Sequence, residues 1–321
     1  MLKDPIKINQ LTLRNRIVMP PMATRKAVND LPTEELVGYY AARAEATGLI
    51  IVEHGYISAE GMAHANQLSM AEDAVIPAYQ NLTAAVHEKG AAIFAQISHA
   101  GARASGSGLP AVSPSGIPVR EGDLPHAAMT QSAIAQVRGC FVKAALRAKE
   151  AGFDGVEIHG AHGYLLSQFY SPLTNRRTDA YTGATLAGRT RLHLEVLRAV
   201  REAVGPAYPV AIRFGACDYM EGGSQIKDIR PACMLFEEAG ADLIDISGGL
   251  GGYVRPDHKE PGWFAELSRP AKESTNIPVL LTGGITTAED AERLLQEGAA
   301  DLIGVGRAML TDADWSVKAL A

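Results

Sequence analysis

The sequence predicts an α/β protein with the fold of a (β/α)8 TIM barrel. Eight short apolar runs recur along the chain, and most are followed by a segment with helical spacing of its apolar residues. The runs end in Gly, Ser, His or Pro. Parallel strands that alternate with helices in this way are typical of such a barrel. A doubly wound sheet is the weaker alternative, because the units are evenly spaced and no GxGxxG turn follows the first strand.

The longest apolar runs are only as long as a strand, which argues against a membrane-spanning segment. The predicted strands cover residues 16–22, 48–55, 91–99, 155–163, 209–216, 242–249, 278–284 and 302–307. Helices are predicted where apolar residues recur at steps of three and four and where a glycine follows, a common helix stop. Such segments lie at 74–90, 133–152, 190–205 and 288–298.

Two segments lie outside the repeat. Residues 6–16 alternate apolar and polar residues around Asn9 and Gln10, which predicts a β-hairpin that plugs the N-terminal mouth of the barrel. Residues 100–128, after strand 3, are rich in Gly, Pro and Ser. Long loops at the carboxyl face of a barrel usually carry function or act as lids. No domain boundary is evident, so we expect one domain over residues 1–321.

Composition excludes several classes of protein. The 321 residues are 47% hydrophobic and 21% charged, as expected for a folded globular chain. A net charge of −6 argues against nucleic-acid partners and anionic membranes. The N-terminus lacks the apolar core of a signal peptide. The three cysteines are scattered without a CxxC pair, which favours a cytoplasmic protein with small buried thiols.

The ends of strands 7 and 8 predict a phosphate site. Gly283 and Gly284 follow strand 7, and Gly306 and Arg307 follow strand 8. Glycine turns let backbone N–H groups approach a phosphate, and arginine supplies a forked cation. These two strands form the usual phosphate site of the fold. The alternative is that the glycines only make tight turns.

Polar residues also end strands 3 and 5. Gln96 and Arg213 follow runs that are otherwise suited to burial. Either could be a satisfied structural group, for example in an ion pair with Asp245. If they point inward, they would frame a flat polar ligand, and the arginine would stabilise a ring that becomes anionic.

The segment VEIHGAHGYLLSQF, residues 156–169, places His159, His162 and Tyr164 where strand 4 ends. A zinc site is one interpretation, but the spacing of three through glycines and the lack of a third ligand disfavour it, so no metal is expected. Core histidines are the second interpretation. In the third, both imidazoles hold a carbonyl oxygen and the phenol delivers a proton.

Together these motifs resemble the Old Yellow Enzyme family of FMN-dependent ene-reductases and NAD(P)H:flavin oxidoreductases. The most specific element is AGFDGVEIHGAHGYLLSQFYSPLTNRRTDAY, residues 151–181. Supporting elements are LRNRIVMPPM, AQISHAG, AVSPSGIP, VAIRF, GGI and GVGRAMLTDADW. The resemblance runs from about residue 3 to residue 315, nearly the whole chain.

The resemblance implies a role for each candidate residue. Catalysis and substrate binding fall on His159 and His162, with Tyr164 as the proton donor. Non-covalent FMN would contact Pro21, Met22, Ala23, His54, Gln96, Arg213, Gly283, Gly284, Gly306 and Arg307. Either NADH or NADPH would be the reductant. Arg25 stands near the position where some relatives carry a substrate-facing tyrosine, so it is a further substrate-binding candidate.

Three departures from the family pattern are informative. Ala23 stands where relatives place a cysteine or threonine near the flavin, so control of the flavin potential is expected to differ. After NRRTDAY this chain reads TGATLAGR in place of GGSLENR, so that loop is expected to pack differently. The sequence ends soon after Trp315, without the cysteine cluster of larger relatives, so we expect the single-domain form.

We therefore expect an enzyme that reduces the C=C bond of enones or enals by ping-pong hydride transfer. A small molecule would be its partner, and a homo-oligomer is left open. One alternative is a flavin-free lyase or isomerase that acts on a phosphorylated metabolite; its base could come from Glu53 or Glu157. Others are a non-catalytic flavin-binding protein and a family member that acts on dienoyl or amine substrates.

Overall fold

Eight parallel strands close into a barrel in the computed structural model, which describes residues 1–119, 126–255 and 257–321. In chain order the strands are β1 (Ile6–Ile8), β2 (Leu11–Leu13), β3 (Ile17–Met19), β4 (Leu49–Tyr56), β5 (Ala92–Ser98), β6 (Ala111–Ser113), β7 (His126–Ala128), β8 (Gly155–Gly160), β9 (Val210–Gly215), β10 (Leu243–Ser247), β11 (Val279–Thr282) and β12 (Leu302–Gly304). The barrel order is β3-β4-β5-β8-β9-β10-β11-β12, and β12 pairs with β3 to close it. The predicted (β/α)8 barrel is confirmed.

Helices follow the barrel strands. They are α1 (Glu34–Ala44), α2 (Ile76–His87), α3 (Gln131–Glu150), α4 (Leu165–Tyr170), α5 (Leu186–Val204), α6 (Ile229–Glu238), α7 (Ala265–Ser274), α8 (Ala288–Gln296), α9 (Arg307–Thr311) and α10 (Trp315–Leu320). Short 3-10 helices span Ala59–Gly61, Asp73–Val75, Gly101–Arg103 and Ile226–Asp228. The helices α2, α3, α5 and α8 overlap the four segments that were predicted as helical, although α3 begins two residues and α5 four residues before its predicted segment.

Threonine caps start four of these helices. The side chains of Thr33, Thr130, Thr185 and Thr287 each accept a hydrogen bond from a backbone N–H in the first turn of α1, α3, α5 and α8. A capping oxygen satisfies an amide that has no partner within the helix. The sequence therefore specifies where these helices begin, and their apolar faces then pack onto the barrel.

The N-terminal hairpin closes one mouth of the barrel, as predicted. Strands β1 and β2 pair antiparallel around Asn9, whose φ of 54° lies in the left-handed region that asparagine tolerates. Ile8 and Leu13 are buried in one apolar cluster with Phe94 and Leu280 from the barrel strands. This end of the barrel is therefore filled by hydrocarbon.

The loop after β5 lies at the other mouth. It contains the short 3-10 helix and the two-stranded sheet of β6 and β7. Residues 120–125 of the predicted loop lie outside the described residues. None of the described helices combines the length and apolarity needed to cross a membrane.

Candidate active site

A cavity of about 930 Å³ opens at the carboxyl ends of the barrel strands. It is lined by almost all of the predicted site residues, namely Pro21, Met22, Ala23, Arg25, His54, His159, His162, Tyr164, Arg213, Gly283, Gly284, Gly306 and Arg307. Four of the described lining residues are arginines, and none of the described lining residues is acidic. The cavity therefore suits a ligand that carries negative charge, such as a phosphate.

The turn after β8 presents the two histidines and the tyrosine. His162 has a φ of 59°, a left-handed conformation that is uncommon for any residue except glycine. The Arg103 guanidinium donates to the His162 carbonyl at 2.8 Å, and the His162 Nε2 lies 2.7 Å from the Ser247 hydroxyl. These contacts hold an unusual backbone conformation at a strand end, where strain is often linked to function.

Three rings of this turn form one cluster. The ring centroids of His159 and His162 are 5.0 Å apart, and those of His159 and Tyr164 are 4.9 Å apart. Burial holds the pKa of both imidazoles well below the usual 6.5, and nearby cationic groups lower it further. Both histidines are therefore neutral at pH 7, so each ring has one N–H that can donate a hydrogen bond.

The opposite end of the cavity is built by the turns after β11 and β12. Gly283 and Gly284 have φ values of 141° and 68°, and a Cβ on either would approach the Trp263 ring within 2.7 Å. Only glycine fits both the backbone conformation and the packing here. The Arg307 guanidinium lies 4.9 Å from the centroid of the Trp263 ring, and no described carboxylate pairs with it. The turns therefore present to the cavity a cation that has no carboxylate partner among the described residues.

A buried polar layer lies where strands β5, β8, β9 and β10 are neighbours. The Arg213 Nε is 3.1 Å from an Asp245 carboxylate oxygen, and the Gln96 amide donates to Glu157 at 2.7 Å. Burial, and then the Asp245 carboxylate, hold the pKa of Glu157 well above its usual range. Arg213 lines the cavity, whereas Gln96 is not among the described lining residues. The ion pair with Asp245 was one of the alternatives raised by the sequence.

The segment after β3 is fixed by a buried glutamate. The Thr24 hydroxyl and its backbone N–H both donate to Glu53, the hydroxyl at 2.6 Å. This contact positions Ala23 and Arg25 on the cavity wall, and Arg25 has a φ of 59°. Glu53 and Glu157 are both absent from the described lining residues, so neither is placed to act as a base on a ligand in the cavity.

Several lining residues were missed by sequence reasoning. They are His64, Arg103, Ser247, Tyr253, Trp263, Phe264 and Thr282. Arg103 lies in the loop after β5, which was predicted to carry function without naming a residue. Ser247 and Thr282 stand at the ends of predicted strands. No residue was predicted for the site at the end that carries Ser247, and only Gly283 and Gly284 were predicted after Thr282. Trp263 and Tyr253 lie in the long segment between β10 and α7. Two aromatic residues in a loop at the carboxyl face were the signal that could have identified them.

The described residues contain no group of three or more His, Cys, Asp or Glu that could hold a metal ion. The rings of His159 and His162 instead meet edge to face and line the cavity together with Tyr164. Of the three interpretations for this segment, this arrangement best supports the third, in which both imidazoles hold a carbonyl oxygen and the phenol delivers a proton.

The whole chain is similar to proteins of one known family. The model of the NADH:flavin oxidoreductase / NADH oxidase family matches residues 1–321. An NADH oxidase of Thermoanaerobacter brockii is 41% identical over 98% of this chain, which spans 50% of that relative. An NADPH dehydrogenase of Listeria monocytogenes serotype 4a is 38% identical over 95% of this chain and 89% of its own length.

Solved structures agree with the sequence comparison. Morphinone reductase superposes with a TM-score of 0.88 at 27% identity, over 99% of this chain and 89% of its own. The chain spans about half the length of the NADH oxidase relative, so the activity of that whole protein is not carried over here.

The residues present fit the cofactor that this family binds. Glycine turns and the Arg307 cation, which lines the cavity, suit a phosphate, and Arg213 suits a ring that gains negative charge. The predictions of FMN as cofactor and of NADH or NADPH as reductant are confirmed by the family match. The chain belongs to the NADH:flavin oxidoreductase / NADH oxidase family, the group that its strand-end residues resemble.

Proposed function

We propose that this chain is an NAD(P)H-dependent flavin oxidoreductase that reduces the C=C bond of electron-poor alkenes such as enones and enals. One observation carries the proposal: two neutral imidazoles and a phenol from one turn face a cavity whose other end suits a phosphate. We further propose that residues 1–321 form one FMN-binding domain, because all eight barrel strands come from this chain.

The FMN phosphate would be held by Gly283, Gly284, Gly306 and Arg307. The flavin ring would be held by Arg213 and by the segment Pro21, Met22 and Ala23, with Gln96 supporting the layer beneath. When bound, FMN accepts hydride from NAD(P)H and supplies it to the substrate, which is chemistry that no side chain provides.

The two histidines orient and polarise the substrate. Each neutral ring donates one N–H, and the two rings meet edge to face with centroids 5.0 Å apart. A carbonyl oxygen that accepts from both His159 and His162 draws electron density from the conjugated double bond. Hydrogen bonds aimed at this oxygen stabilise the negative charge that develops there during hydride addition to the β-carbon.

Tyr164 supplies the proton. Its ring is 4.9 Å from that of His159, so the phenol lies beside the proposed carbonyl site. The α-carbon takes the proton from the Tyr164 hydroxyl, and solvent then reprotonates the phenolate. One hydride from NAD(P)H and one proton thus add two hydrogens across the double bond, and NAD(P)⁺ is released.

The competing functions make different predictions. A flavin-free lyase or isomerase would be colourless, and its candidate bases Glu53 and Glu157 are absent from the described lining residues. A flavin-binding protein without catalysis would hold FMN but would not oxidise NADPH in the presence of an enone. An absorbance spectrum and a steady-state screen of several enones with both nicotinamides separate these cases.

Tyr164→Phe tests the proposal directly, because it removes only the hydroxyl. Reduction of the flavin by NAD(P)H needs no proton from Tyr164 and is expected to stay near the wild-type rate. Reoxidation by an enone is expected to slow by about 10²–10⁴-fold, as for a lost general acid. A quinone acceptor should be much less affected, since it needs no protonation at carbon. Stopped-flow traces measure both half-reactions.

His159→Ala and His162→Ala complete the test. Both are expected to weaken the binding of phenols, because a phenolate oxygen would accept from the same two donors. If the histidines were only core residues, thermal stability would fall while phenol binding stayed unchanged. Equal slowing of both half-reactions by Tyr164→Phe, or no slowing of either, would show that Tyr164 is not the proton donor.

A further inference from the structure

His54 contacts the proposed proton donor directly. Its Nε2 lies 3.3 Å from the Tyr164 hydroxyl oxygen, and the two rings meet edge to face with centroids 5.4 Å apart. The resemblance assigned His54 to the flavin alone. Which of the two atoms donates in this contact decides what His54 does for Tyr164, because a tyrosine that donates to His54 has no proton left for a substrate.

The orientation of a buried glutamine answers this question. Gln67 is 2% exposed, and its Oε1 accepts from the backbone N–H of Ala63 at 2.6 Å. Its Nε2 donates to the backbone carbonyl of His54 at 3.1 Å and lies 2.7 Å from the His54 Nδ1. The reversed amide would point a donor at the Ala63 N–H and an acceptor at a carbonyl. The amide orientation is therefore set by two backbone groups.

The tautomer of His54 follows from this orientation. Because Gln67 Nε2 can only donate, the His54 Nδ1 must accept and carries no hydrogen. In a neutral ring the proton then resides on Nε2, which is the nitrogen that faces Tyr164. Burial lowers the pKa of His54 to about 4, with nearby His64 adding to the effect, so the ring is neutral at pH 7.

We infer that His54 donates its Nε2–H to the Tyr164 hydroxyl oxygen and so stabilises the phenolate that remains after proton transfer to the substrate. This inference rests on the proposed role of Tyr164 as the proton donor. His54 keeps its own proton throughout, and it is a positioning residue that acts through Tyr164. Because the phenol oxygen accepts from His54, the contact with His54 does not use the hydrogen of the Tyr164 hydroxyl.

The surroundings of His54 are consistent with a ring that stays neutral. His159 is stacked on it with ring centroids 6.2 Å apart, and His64 meets it edge to face at 5.7 Å. Arg213 also disfavours a charged His54 ring. No carboxylate is among the described residues that line the cavity, so nothing there would favour a second proton on the ring.

The first test reads the tautomer without measuring turnover. Long-range ¹H–¹⁵N spectra of the FMN-bound enzyme distinguish protonated from unprotonated ring nitrogens, and His54→Phe identifies the His54 signals among those of the nine histidines. We expect hydrogen on Nε2 and none on Nδ1. Hydrogen on Nδ1, or a doubly protonated ring at pH 7, would overturn the inference.

Gln67→Glu is a matched variant that should reverse the tautomer. A carboxylate cannot donate to Nδ1 and would accept from it, so Nδ1 should gain a hydrogen. The same negative charge raises the pKa of the ring, so spectra and rates are measured above that pKa, where Nε2 has lost its hydrogen and the two NMR signals have exchanged. Tyr164 would then donate to His54. Enone-driven reoxidation is expected to slow by about 10- to 100-fold, as for a lost hydrogen bond to a charged group, although both residues are retained. An unchanged rate with a reversed tautomer would overturn the inference.

A double-mutant cycle separates a role through Tyr164 from a structural one. His54→Phe keeps a ring in place and removes the donor, and it should slow enone-driven reoxidation by about 10- to 100-fold. In a Tyr164→Phe background the same change should have almost no further effect, because no phenolate forms. Equal slowing in both backgrounds would indicate a structural role and overturn the inference. If the Tyr164→Phe single variant does not slow enone-driven reoxidation, both the proposed function and this inference fail. If Tyr164→Phe slows it but the His54→Phe single variant does not, only this inference fails.

Discussion

The two mouths of the barrel are built from the same strands and differ completely in chemistry. At the N-terminal mouth Ile8 and Leu13 from the hairpin pack on Phe94 and Leu280, and the space is filled. At the carboxyl mouth the wall of the cavity carries four arginines, several imidazoles and a row of glycines, and a space of about 930 Å³ remains.

The contrast between an apolar and a polar mouth is also present along single strands. Strand β4 begins with buried Leu49 and ends near His54 on the cavity wall, and β10 runs from buried Leu243 to Ser247. Residues at strand starts contribute stability, whereas residues at strand ends are free to serve a ligand. Changes at the two mouths should therefore separate into effects on folding and effects on binding.

The largest effect is expected at the closed mouth. Leu13→Ala removes a side chain that is 1% exposed, and the free energy of unfolding should fall by about 2–5 kcal/mol because a cavity remains. Urea denaturation of the purified protein measures it. The affinity for FMN at the other mouth should not change.

Thr12→Ala is the matched control within the same strand, because Thr12 is exposed. Its effect should stay within about 0.5 kcal/mol, as for most surface substitutions. A loss below about 1 kcal/mol for Leu13→Ala would mean that the hairpin does not plug the barrel. A parallel loss of FMN affinity would mean that the two mouths are coupled.

The next effect is expected at the open mouth. Arg307→Ala removes a cation that has no described carboxylate partner, and the Kd for FMN should rise about 10- to 100-fold because a charge-assisted contact is lost. The purified protein should release FMN and not FAD on denaturation, since a single phosphate site is predicted. Fluorescence titration of the apoprotein measures the affinity.

Arg269→Ala provides the comparison for Arg307→Ala. Arg269 forms an exposed pair with Glu297 and is absent from the cavity wall, so its loss should leave the Kd for FMN unchanged. The same Kd in Arg307→Ala and wild type would remove Arg307 from the phosphate site.

The smallest effect is expected for Ala23→Cys. Ala23 lines the cavity and directly precedes Thr24 in the chain. A cysteine there would add a weak donor beside the flavin. The FMN midpoint potential should shift upward by about 20 mV, which corresponds to roughly 1 kcal/mol for a two-electron couple. Spectroelectrochemical titration measures it, and the denaturation midpoint serves as the control for an intact fold. An unchanged potential would mean that Ala23 does not lie under the flavin.

Much of the fold was predictable because each local signal agreed with the next. Apolar runs predicted the eight barrel strands, and periodic segments closed by glycine predicted α2, α3, α5 and α8. Turn chemistry around Asn9 predicted the hairpin. Agreement between propensity, pattern and turn residues is what makes a sequence specify a structure.

The candidate site was predictable in part, because active-site residues of a barrel follow its strands directly. His159, Tyr164 and Arg307 were found in this way, and all three line the cavity. Arg103 and Trp263 were missed, because they reach the cavity from long connections whose path is not encoded by a repeat. The interpretation of Gln96 and Arg213 needed the structure, which shows both in contact with buried carboxylates.

The sequence by itself determined the barrel, its hairpin and the strand ends at which chemistry is possible, since these depend on short-range periodicity and on the fixed geometry of parallel strands. Only the tertiary structure decided which residues distant in the chain form hydrogen bonds with one another, and which atom of each pair donates. His54 lies in β4, Gln67 in the connection that follows β4, and Tyr164 in the turn after β8. The hydrogen bonds that order them run from Ala63 through Gln67 to His54 and Tyr164. The tautomer of His54 depends on the orientation of an amide, and no pattern of residues along a chain specifies which way an amide points.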